Sequence, residues 1–310
     1  MRFDATGKVS LEHIYTQPDP RSYFGALRKL DYCVPQLGKP YFAKLIDELR
    51  TARRTAVPQV LDIGCSYGVN AALLKYDLTM DDLYARYGDA RAAEADAEAA
   101  PAIGTADRDA LLARDRDLAR TRDTAPRMRF VGLDTSGPAL DYALEAGFLD
   151  DAVHADLESH DLTPDESRRI AGTDLVISTG CLGYVTEKTL TRIVRSLGDR
   201  RPWMAHFVLR MFPFDPVEQA LADLGYRTVR VEGVFRQRRF ASAEEQAGVL
   251  RTMAAAGVDA RGLEEDGWFH ARLFLSLPAD ASGSRPAEDL AAGVQATARP
   301  HDHDRNREQS

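Results

Sequence analysis

The stretch that decides the fold is Val60-Leu61-Asp62-Ile63-Gly64-Cys65-Ser66-Tyr67-Gly68-Val69-Asn70. Its apolar start, which lies between Pro58 and Gly64, is typical of a strand buried on both faces of a parallel sheet. The two glycines predict a tight turn, and the Ala-Ala-Leu-Leu run at 71–74 favours a helix. Strand, turn and helix in this order form the geometry that binds nucleotide-like ligands. The alternative interpretation is a glycine turn that only joins a strand to a helix.

Asp62 and Ser66 indicate which ligand the turn would accept. A carboxylate at the end of the strand would repel the pyrophosphate of a dinucleotide. Ser66 also stands where the pattern G-x-G-x-x-G has its second glycine. The Asp62 carboxylate would instead attract a ligand that carries ammonium and sulfonium groups. The run resembles the first motif of class I S-adenosylmethionine-dependent methyltransferases, an acidic residue followed by Gly-x-Gly-x-Gly. Asp62, Gly64 and Gly68 match this motif, and Ser66 departs from it.

A second acidic residue, Asp134, ends the next apolar segment, Met128 to Asp134. An acidic residue at the end of the second strand of such a unit accepts hydrogen bonds from ribose hydroxyls. We therefore predict that Asp134, followed by Thr135, binds the ribose of the cofactor. Ser136 before Pro138 predicts a helix cap with proline in the first turn.

Two further segments complete the predicted site. Ala152 to Asp156 reads as a short third strand, and the resemblance implies that Asp156 and Leu157 contact adenine. Asp174 to Ser178 reads as a buried fourth strand that opens into Thr179, Gly180, Cys181 and, three residues on, Tyr184. Ligands of open parallel sheets bind outside the carboxyl ends of the strands. We therefore expect this loop beside the transferred methyl group.

The remaining segments alternate between strand and helix patterns. Trp203 to Arg210 predicts a fifth strand, Tyr226 to Phe235 and Trp268 to Leu277 predict a last pair, and Ala243 to Ala256 predicts a helix between these two. The predicted fold is α/β: a doubly wound, Rossmann-like, mostly parallel seven-stranded sheet, with an N-terminal helical extension and a helical insertion after the first βα unit.

Three regions lie outside this repeat. Residues 1–55 form a predicted helical cap, whose last helix starts at Pro40, and residues 56–279 form the methyltransferase-like domain. Asp134 follows Asp62 by 72 residues, whereas about 20 are usual, so we place an insertion at about 76–126. We expect it to act as a lid, with a surface segment of no role as the alternative. Residues 280–310 lack periodicity and are predicted to be disordered.

Composition narrows the functional classes. A net charge of -8 and a pI near 5.5 argue against nucleic acid or anionic membrane as the main partner. The odd set of Cys33, Cys65 and Cys181 contains no CxxC pair, so neither a disulfide framework nor a metal site is expected. The chain shows no signal peptide and no apolar run of membrane-spanning length, which favours a cytoplasmic protein. A homodimer is compatible with the sequence.

The resemblance implies a methyltransferase that transfers the methyl group of S-adenosyl-L-methionine to a small molecule. We expect the acceptor atom to be oxygen or nitrogen and the small molecule to belong to specialised metabolism. The predicted cofactor-binding residues are Asp62, Gly64, Cys65, Ser66, Gly68, Asp134, Thr135, Asp156, Leu157 and Thr179. The predicted acceptor pocket contains Tyr23, Tyr32, Gly180, Cys181 and Tyr184, with Tyr184 as the candidate base. Two alternatives stay open: a scaffold or sensor that binds the cofactor without catalysis, and a nicotinamide-dependent oxidoreductase.

Overall fold

The computed structural model describes residues 3, 4, 6–88, 105–122 and 127–279. The strands are β1 (Gln59–Ile63), β2 (Arg129–Asp134), β3 (Asp151–His154), β4 (Thr173–Thr179), β5 (Trp203–Leu209), β6 (Tyr226–Arg230), β7 (Phe235–Arg239) and β8 (Trp268–Pro278). The helices are α1 (Glu12–Tyr15), α2 (Arg21–Lys29), α3 (Val34–Arg53), α4 (Val69–Lys75), α5 (Met80–Tyr87), α6 (Thr105–Thr121), α7 (Gly137–Glu145), α8 (Pro164–Ile170), α9 (Glu187–Leu197), α10 (Asp215–Asp223) and α11 (Ala243–Ala255).

The described strands form one mixed sheet in the order β3-β2-β1-β4-β5-β8-β6, with β7 also paired to β8. The first five of these strands are parallel, and β8 runs antiparallel to β5. The order 3-2-1-4-5 is that of a doubly wound sheet, in which the chain reverses its direction of travel between β1 and β4. The predicted Rossmann-like α/β fold is confirmed.

The described residues form eight strands, whereas the sequence predicted seven, and the difference lies at the edge beyond β8. The segment predicted as one strand over 226–235 is broken, and Gly233 within the break has a φ of +93°. After the break, β7 continues along the same edge of β8: β6 pairs with residues 274–278 and β7 with residues 268–271. The eleven residues of β8 therefore join three strands.

The N-terminal region packs directly on the sheet. Phe42, Leu45 and Leu49 on α3 are at most 1% exposed and belong to the same core cluster as Phe207 of β5. The predicted start of this helix at Pro40 is wrong, because α3 begins at Val34 and includes Pro40 in its interior. Pro35 occupies the first turn instead, where the missing amide proton costs no helical hydrogen bond.

Two described helices come from the predicted insertion, and a buried carboxylate joins them to the domain. Asp115 on α6 is fully buried and accepts hydrogen bonds from Tyr87 Oη (2.7 Å) on α5 and Tyr142 Oη (2.6 Å) on α7. The Arg86 guanidinium forms an ion pair with it. Whether the insertion acts as a lid stays a prediction. Residues 89–104 and 123–126 of it, and the predicted disordered tail at 280–310, lie outside the described residues.

Candidate functional site

The glycine loop between β1 and α4 is held in a strained, left-handed conformation. Gly64, Ser66 and Gly68 have φ angles of +67°, +49° and +74°. A Cβ on Gly64 would lie 2.8 Å from Cβ of Cys181, so only glycine fits between the loops that follow β1 and β4. Ser66 adopts the conformation without being glycine, at a cost of about 1 kcal/mol. Such strain persists only where neighbouring contacts fix the backbone.

Asp134 supplies one of these contacts. Its Oδ2 accepts a hydrogen bond from the Ser66 amide (2.8 Å), and its Oδ1 accepts one from the Ser136 amide (2.9 Å). Burial raises the pKa of this carboxyl above its usual value, although the amide hydrogen bonds act in the opposite direction. The structure thus brings two predicted motifs, 68 residues apart in the chain, into direct contact at the carboxyl ends of β1 and β2. Thr135 beside them is exposed.

Asp62 lies beneath the loop rather than on its surface. It has no exposed area, and both of its carboxylate oxygens accept hydrogen bonds from Asn70 Nδ2 (3.1 and 3.2 Å). Asn70 Nδ2 also contacts Thr179 Oγ1 (3.2 Å), which links the ends of β1 and β4. Burial raises the pKa of Asp62 to about 8. The sequence argument for its negative charge assumed an ionised group, whereas at neutral pH the buried carboxyl is mostly protonated. Its role in cofactor binding stays a prediction.

Two polar atoms in this loop and the first turn of α4 are buried without a hydrogen-bond partner among the described residues. They are Ser66 Oγ and Asn70 Oδ1, on side chains that are 4% and 3% exposed. Buried polar atoms in folded proteins are nearly always paired. The loop therefore retains hydrogen-bonding capacity that a ligand with polar groups would satisfy.

The predicted adenine residues occupy the turn after β3. Asp156 is exposed, and its carboxylate accepts hydrogen bonds from the Glu158 amide (3.0 Å) and Ser159 Oγ (2.5 Å). The Leu157 side chain is 2% exposed within the core, so only its main chain faces the turn. Glu158 accepts hydrogen bonds from the amide and hydroxyl of Thr186, which ties this turn to the start of α9.

The loop after β4 lies between β1 and β7. Cys181 Sγ donates a hydrogen bond to the Ile63 carbonyl (3.2 Å), while Cys65 is buried against Gly132 of β2. Gly180 has a φ of +98°, and a Cβ there would lie 2.7 Å from Nε2 of Gln237. Gln237 Oε1 is a further buried atom without a partner in the described ranges. Sequence analysis missed Gln237, because the predicted strand over 226–235 ends at the first residue of β7.

Tyrosines from the N-terminal region cover the ends of β1 and β4. Tyr32 Oη donates a hydrogen bond to the Thr179 carbonyl (3.3 Å), and the Tyr23 ring packs against Tyr15 and Tyr67 at centroid distances of 5.5 and 5.6 Å. Tyr67 in the glycine loop donates hydrogen bonds to the carbonyls of Ile14 and Gln17. Burial raises the pKa of Tyr15 to about 12 and that of Tyr32 further, so these phenols stay neutral.

Tyr184, the candidate base, is 49% exposed and donates a hydrogen bond to the Asp4 carboxylate. Burial and the hydrogen bond to Asp4 raise its pKa, because both disfavour the phenolate. This environment is unfavourable for a general base, although it places the ring beside the loop after β4. Sequence reasoning missed the partners of Tyr184 in space, Asp4 and Lys8, because they lie about 180 residues away in the chain.

No protein-family model and no curated protein sequence matches the chain. Solved structures with a similar fold include the TehB-like SAM-dependent methyltransferase from Corynebacterium glutamicum (16% identity, 75% of this chain and 85% of that chain, TM-score 0.35). They also include the plantazolicin methyltransferase BpumL in complex with SAH (12%, 88% and 94%, 0.41) and the magnesium protoporphyrin IX methyltransferase from Synechocystis PCC 6803 with bound SAM (12%, 77% and 80%, 0.35). At these identities and TM-scores, the fold assignment rests on the strand order and register described above.

Across the described ranges, no helix has the length and apolar character needed to cross a membrane. The same ranges contain no cluster of three or more histidine, cysteine, aspartate or glutamate side chains with the geometry of a metal site.

Proposed function

We propose that this chain transfers the methyl group of S-adenosyl-L-methionine to a small-molecule acceptor, at oxygen or nitrogen, and releases S-adenosylhomocysteine. The observation that carries the proposal is the contact between the glycine loop and Asp134. This contact places a carboxylate, which suits ribose hydroxyls, next to a turn with left-handed backbone at the switch point of the sheet.

The residues present fit an adenosine cofactor with a polar amino-acid group. Asp134 would bind the ribose and the main chain at Asp156 and Leu157 would bind adenine, while the loop from Gly64 to Gly68 would enclose the remainder. The unpartnered Ser66 Oγ of this loop and Asn70 Oδ1 in the first turn of α4 offer hydrogen bonds. S-adenosyl-L-methionine, when bound, supplies an electrophilic methyl group on a sulfonium.

Few catalytic groups are needed for such a transfer. The protein must hold the acceptor atom in line with the methyl group and exclude water. The tyrosines that cover β1 and β4 are placed to exclude water, since Tyr23 and Tyr32 are at most 9% exposed. The loop from Gly180 to Tyr184 borders the same region from the side of β4.

A nicotinamide-dependent oxidoreductase is the less favoured candidate. Dinucleotide-binding turns use glycine at the position of Ser66 so that the backbone approaches the pyrophosphate. In this chain that position holds Ser66, which is 4% exposed and carries a hydroxyl that glycine lacks. The scaffold or sensor alternative shares the cofactor site and differs only in the absence of turnover.

The proposal is tested by calorimetric titration of the full chain with S-adenosylhomocysteine, with NAD as the comparison ligand. We expect micromolar binding that Asp134→Ala weakens at least about tenfold, because the variant removes a charged hydrogen-bond acceptor. Asp223→Ala is the matched control, since this exposed residue ends α10 ahead of β6.

These outcomes test the cofactor site and separate it from that of an oxidoreductase, and a turnover assay with candidate acceptors separates the enzyme from a scaffold or sensor. Binding that is lost in Asp134→Ala and retained in Asp223→Ala supports the proposed site. Tighter binding of NAD than of S-adenosylhomocysteine would favour the oxidoreductase. S-adenosylhomocysteine binding unaffected by Asp134→Ala would overturn the assignment of the site.

A further inference from the structure

An N-terminal strap, residues 3, 4 and 6–10, is fixed against α11 by backbone contacts. Phe3 and Val9 form an antiparallel bridge, and the Val9 amide donates a hydrogen bond to Glu245 Oε1 (2.7 Å) on α11. Gly7, with a φ of +87°, lies so close to Gly248 that a Cβ on it would approach the Gly248 backbone to 3.1 Å. These contacts turn Lys8, between Gly7 and Val9, toward the sheet.

The Lys8 ammonium lies among three aromatic rings. Its Nζ is 4.8 Å from the ring centroid of Tyr184, 5.6 Å from that of Phe269 and 5.8 Å from that of Phe212. Tyr184 follows β4, Phe212 follows β5, and Phe269 lies near the start of the antiparallel β8. All three therefore lie at the carboxyl edge of the sheet, the edge that also carries the candidate cofactor site. The Lys8 side chain is nevertheless buried, with 7% exposure of the residue.

The carboxylates nearest to Lys8 are occupied by other donors. Asp4 accepts hydrogen bonds from the Thr6 and Lys8 amides through Oδ1 and from Tyr184 Oη through Oδ2. Glu245 accepts two hydrogen bonds from the Arg238 guanidinium (2.7 and 3.0 Å) as well as main-chain amides.

Within the described part of the chain, Lys8 Nζ has no ion-pair partner and no hydrogen-bond acceptor, only the three rings. The three rings partly offset the cost of burying this lysine through cation–π contacts. They accept no ordinary hydrogen bond from the ammonium, whereas a carboxylate ligand would.

We propose that Lys8 Nζ binds a carboxylate of the acceptor molecule, and that the acceptor is an aromatic acid whose ring stacks against Tyr184 and Phe212. This inference rests on the proposed function, because it places the acceptor beside the candidate cofactor site. It assigns Lys8 as a specificity-determining residue and not as a base.

The charges around Lys8 are those of Arg238 and of the Asp4 and Glu245 carboxylates, which act on its pKa in opposite directions. Arg238 lies 4.5 Å from the Phe269 ring that also contacts Lys8. Two cations that share one ring repel each other, and this repulsion, together with the larger effect of burial, lowers the pKa of Lys8 to about 8. A third cation would increase the repulsion, whereas a carboxylate would relieve it. The ammonium donates up to three hydrogen bonds, and the rings offer flat apolar surface.

The experiment titrates the full chain, saturated with S-adenosylhomocysteine, with three probes of similar shape: benzoate, benzyl alcohol and benzylamine. Protein-observed NMR reports the dissociation constants. We expect benzoate to bind with a Kd of roughly 1 mM and the neutral and cationic probes to bind at least about tenfold more weakly.

Two variants of Lys8 assign the effect to its charge. Lys8→Met keeps much of the apolar length and should weaken benzoate binding at least about tenfold, while Lys8→Arg keeps a cation and should retain binding within about threefold. Lys44→Met on α3, a lysine in an i,i+4 pair with Glu48, is the matched control. Unchanged S-adenosylhomocysteine affinity in Lys8→Met shows that the fold and cofactor site are intact.

The other outcomes overturn the proposal. Preferential binding of benzylamine would show that the rings recognise a cation that displaces Lys8. No benzoate binding by the wild-type chain, or equal binding by Lys8→Met, would show that Lys8 only anchors the strap. Failure of the chain to bind S-adenosylhomocysteine would instead count against the proposed function, and is measured separately.

Discussion

Asp62 and Asp134 lie on neighbouring strands, yet their surroundings give them different chemistry. Asp134 accepts main-chain hydrogen bonds on both oxygens and keeps part of its surface accessible. Asp62 has no exposed surface, and its hydrogen bonds come from one amide group, that of Asn70. Main-chain amides stabilise an ionised carboxylate, whereas burial favours the protonated acid. Asp134 therefore remains the predicted ribose-binding group, while Asp62 accepts hydrogen bonds from Asn70 at the start of α4.

This difference predicts how stability depends on pH. The pKa of Asp62 is about 8 in the folded state and about 4 in the unfolded chain. Between these pH values the folded protein keeps a proton on Asp62 that the unfolded chain has released. The free energy of unfolding therefore falls as pH rises through this range, by up to about 1.4 kcal/mol per pH unit from this group. Asp62→Asn mimics the protonated acid, so we expect its stability relative to wild type to increase steadily toward pH 8. Urea denaturation at a series of pH values measures this.

The matched control for Asp62 is Asp223→Asn, at an exposed site that should follow the wild-type profile. Parallel pH profiles for wild type and Asp62→Asn would contradict the raised pKa of Asp62, because the variant lacks the titrating group.

At the scale of elements, Asp115 determines how the insertion attaches to the domain. Replacing it by alanine would leave the Tyr87 and Tyr142 hydroxyls and the Arg86 guanidinium without their common partner. We expect Asp115→Ala to lower the free energy of unfolding by about 3 kcal/mol, since breaking a buried ion pair strands the remaining groups. Chemical denaturation measures the loss.

Asp117, two residues further along α6, provides the comparison. Its side chain is 62% exposed and pairs with Arg120 on the same helix, so Asp117→Ala should change stability by less than about 0.5 kcal/mol. Equal effects of the two substitutions would show that α6 does not depend on the buried carboxylate for its attachment.

Sequence analysis located those elements whose ends carry local signals. Ser136 was predicted as a cap, and its side chain accepts a hydrogen bond from the Ala139 amide in the first turn of α7. The helix start predicted from Pro40 was wrong, because proline marks a helix start only when tertiary packing does not override it. The buried apolar face of α3 extends back to Val34. The break between β6 and β7 was missed because the register with β8, and not the local pattern, decides it.

For the whole molecule, the predictable part of the site is the part that motifs encode in contiguous residues. The loop and Asp134 follow recognisable strands, so their meeting was expected from the parallel sheet. The surroundings of Lys8 come from the strap, the loops after β4 and β5, and β8, which only tertiary structure brings together. A lone lysine near an N-terminus carries no local signal of burial.

Ligand binding to the proposed cofactor site should stabilise the entire fold. A ligand at 100 times its Kd adds about 2.7 kcal/mol to the free energy of unfolding. For a chain of this size we expect S-adenosylhomocysteine to raise Tm by roughly 4 °C. Differential scanning fluorimetry measures the shift, which at the same ligand concentration should fall to about half or less in Asp134→Ala, because a tenfold weaker Kd leaves about 1.4 kcal/mol of stabilisation, and should be absent with NAD. A shift of equal size in Asp134→Ala would place the ligand elsewhere.

The position of β8 at residues 268–278 also sets the order in which the sheet is completed during synthesis. Because β8 lies between β5 and the pair of β6 and β7, until β8 has been synthesised β5 is paired only on its β4 edge, and β6 and β7 lack their sheet partner. The nascent chain carries β1 to β5 with an open apolar edge at β5, and open strand edges promote association between chains. We therefore expect the nascent chain to be most prone to association while residues 210–278 are being translated.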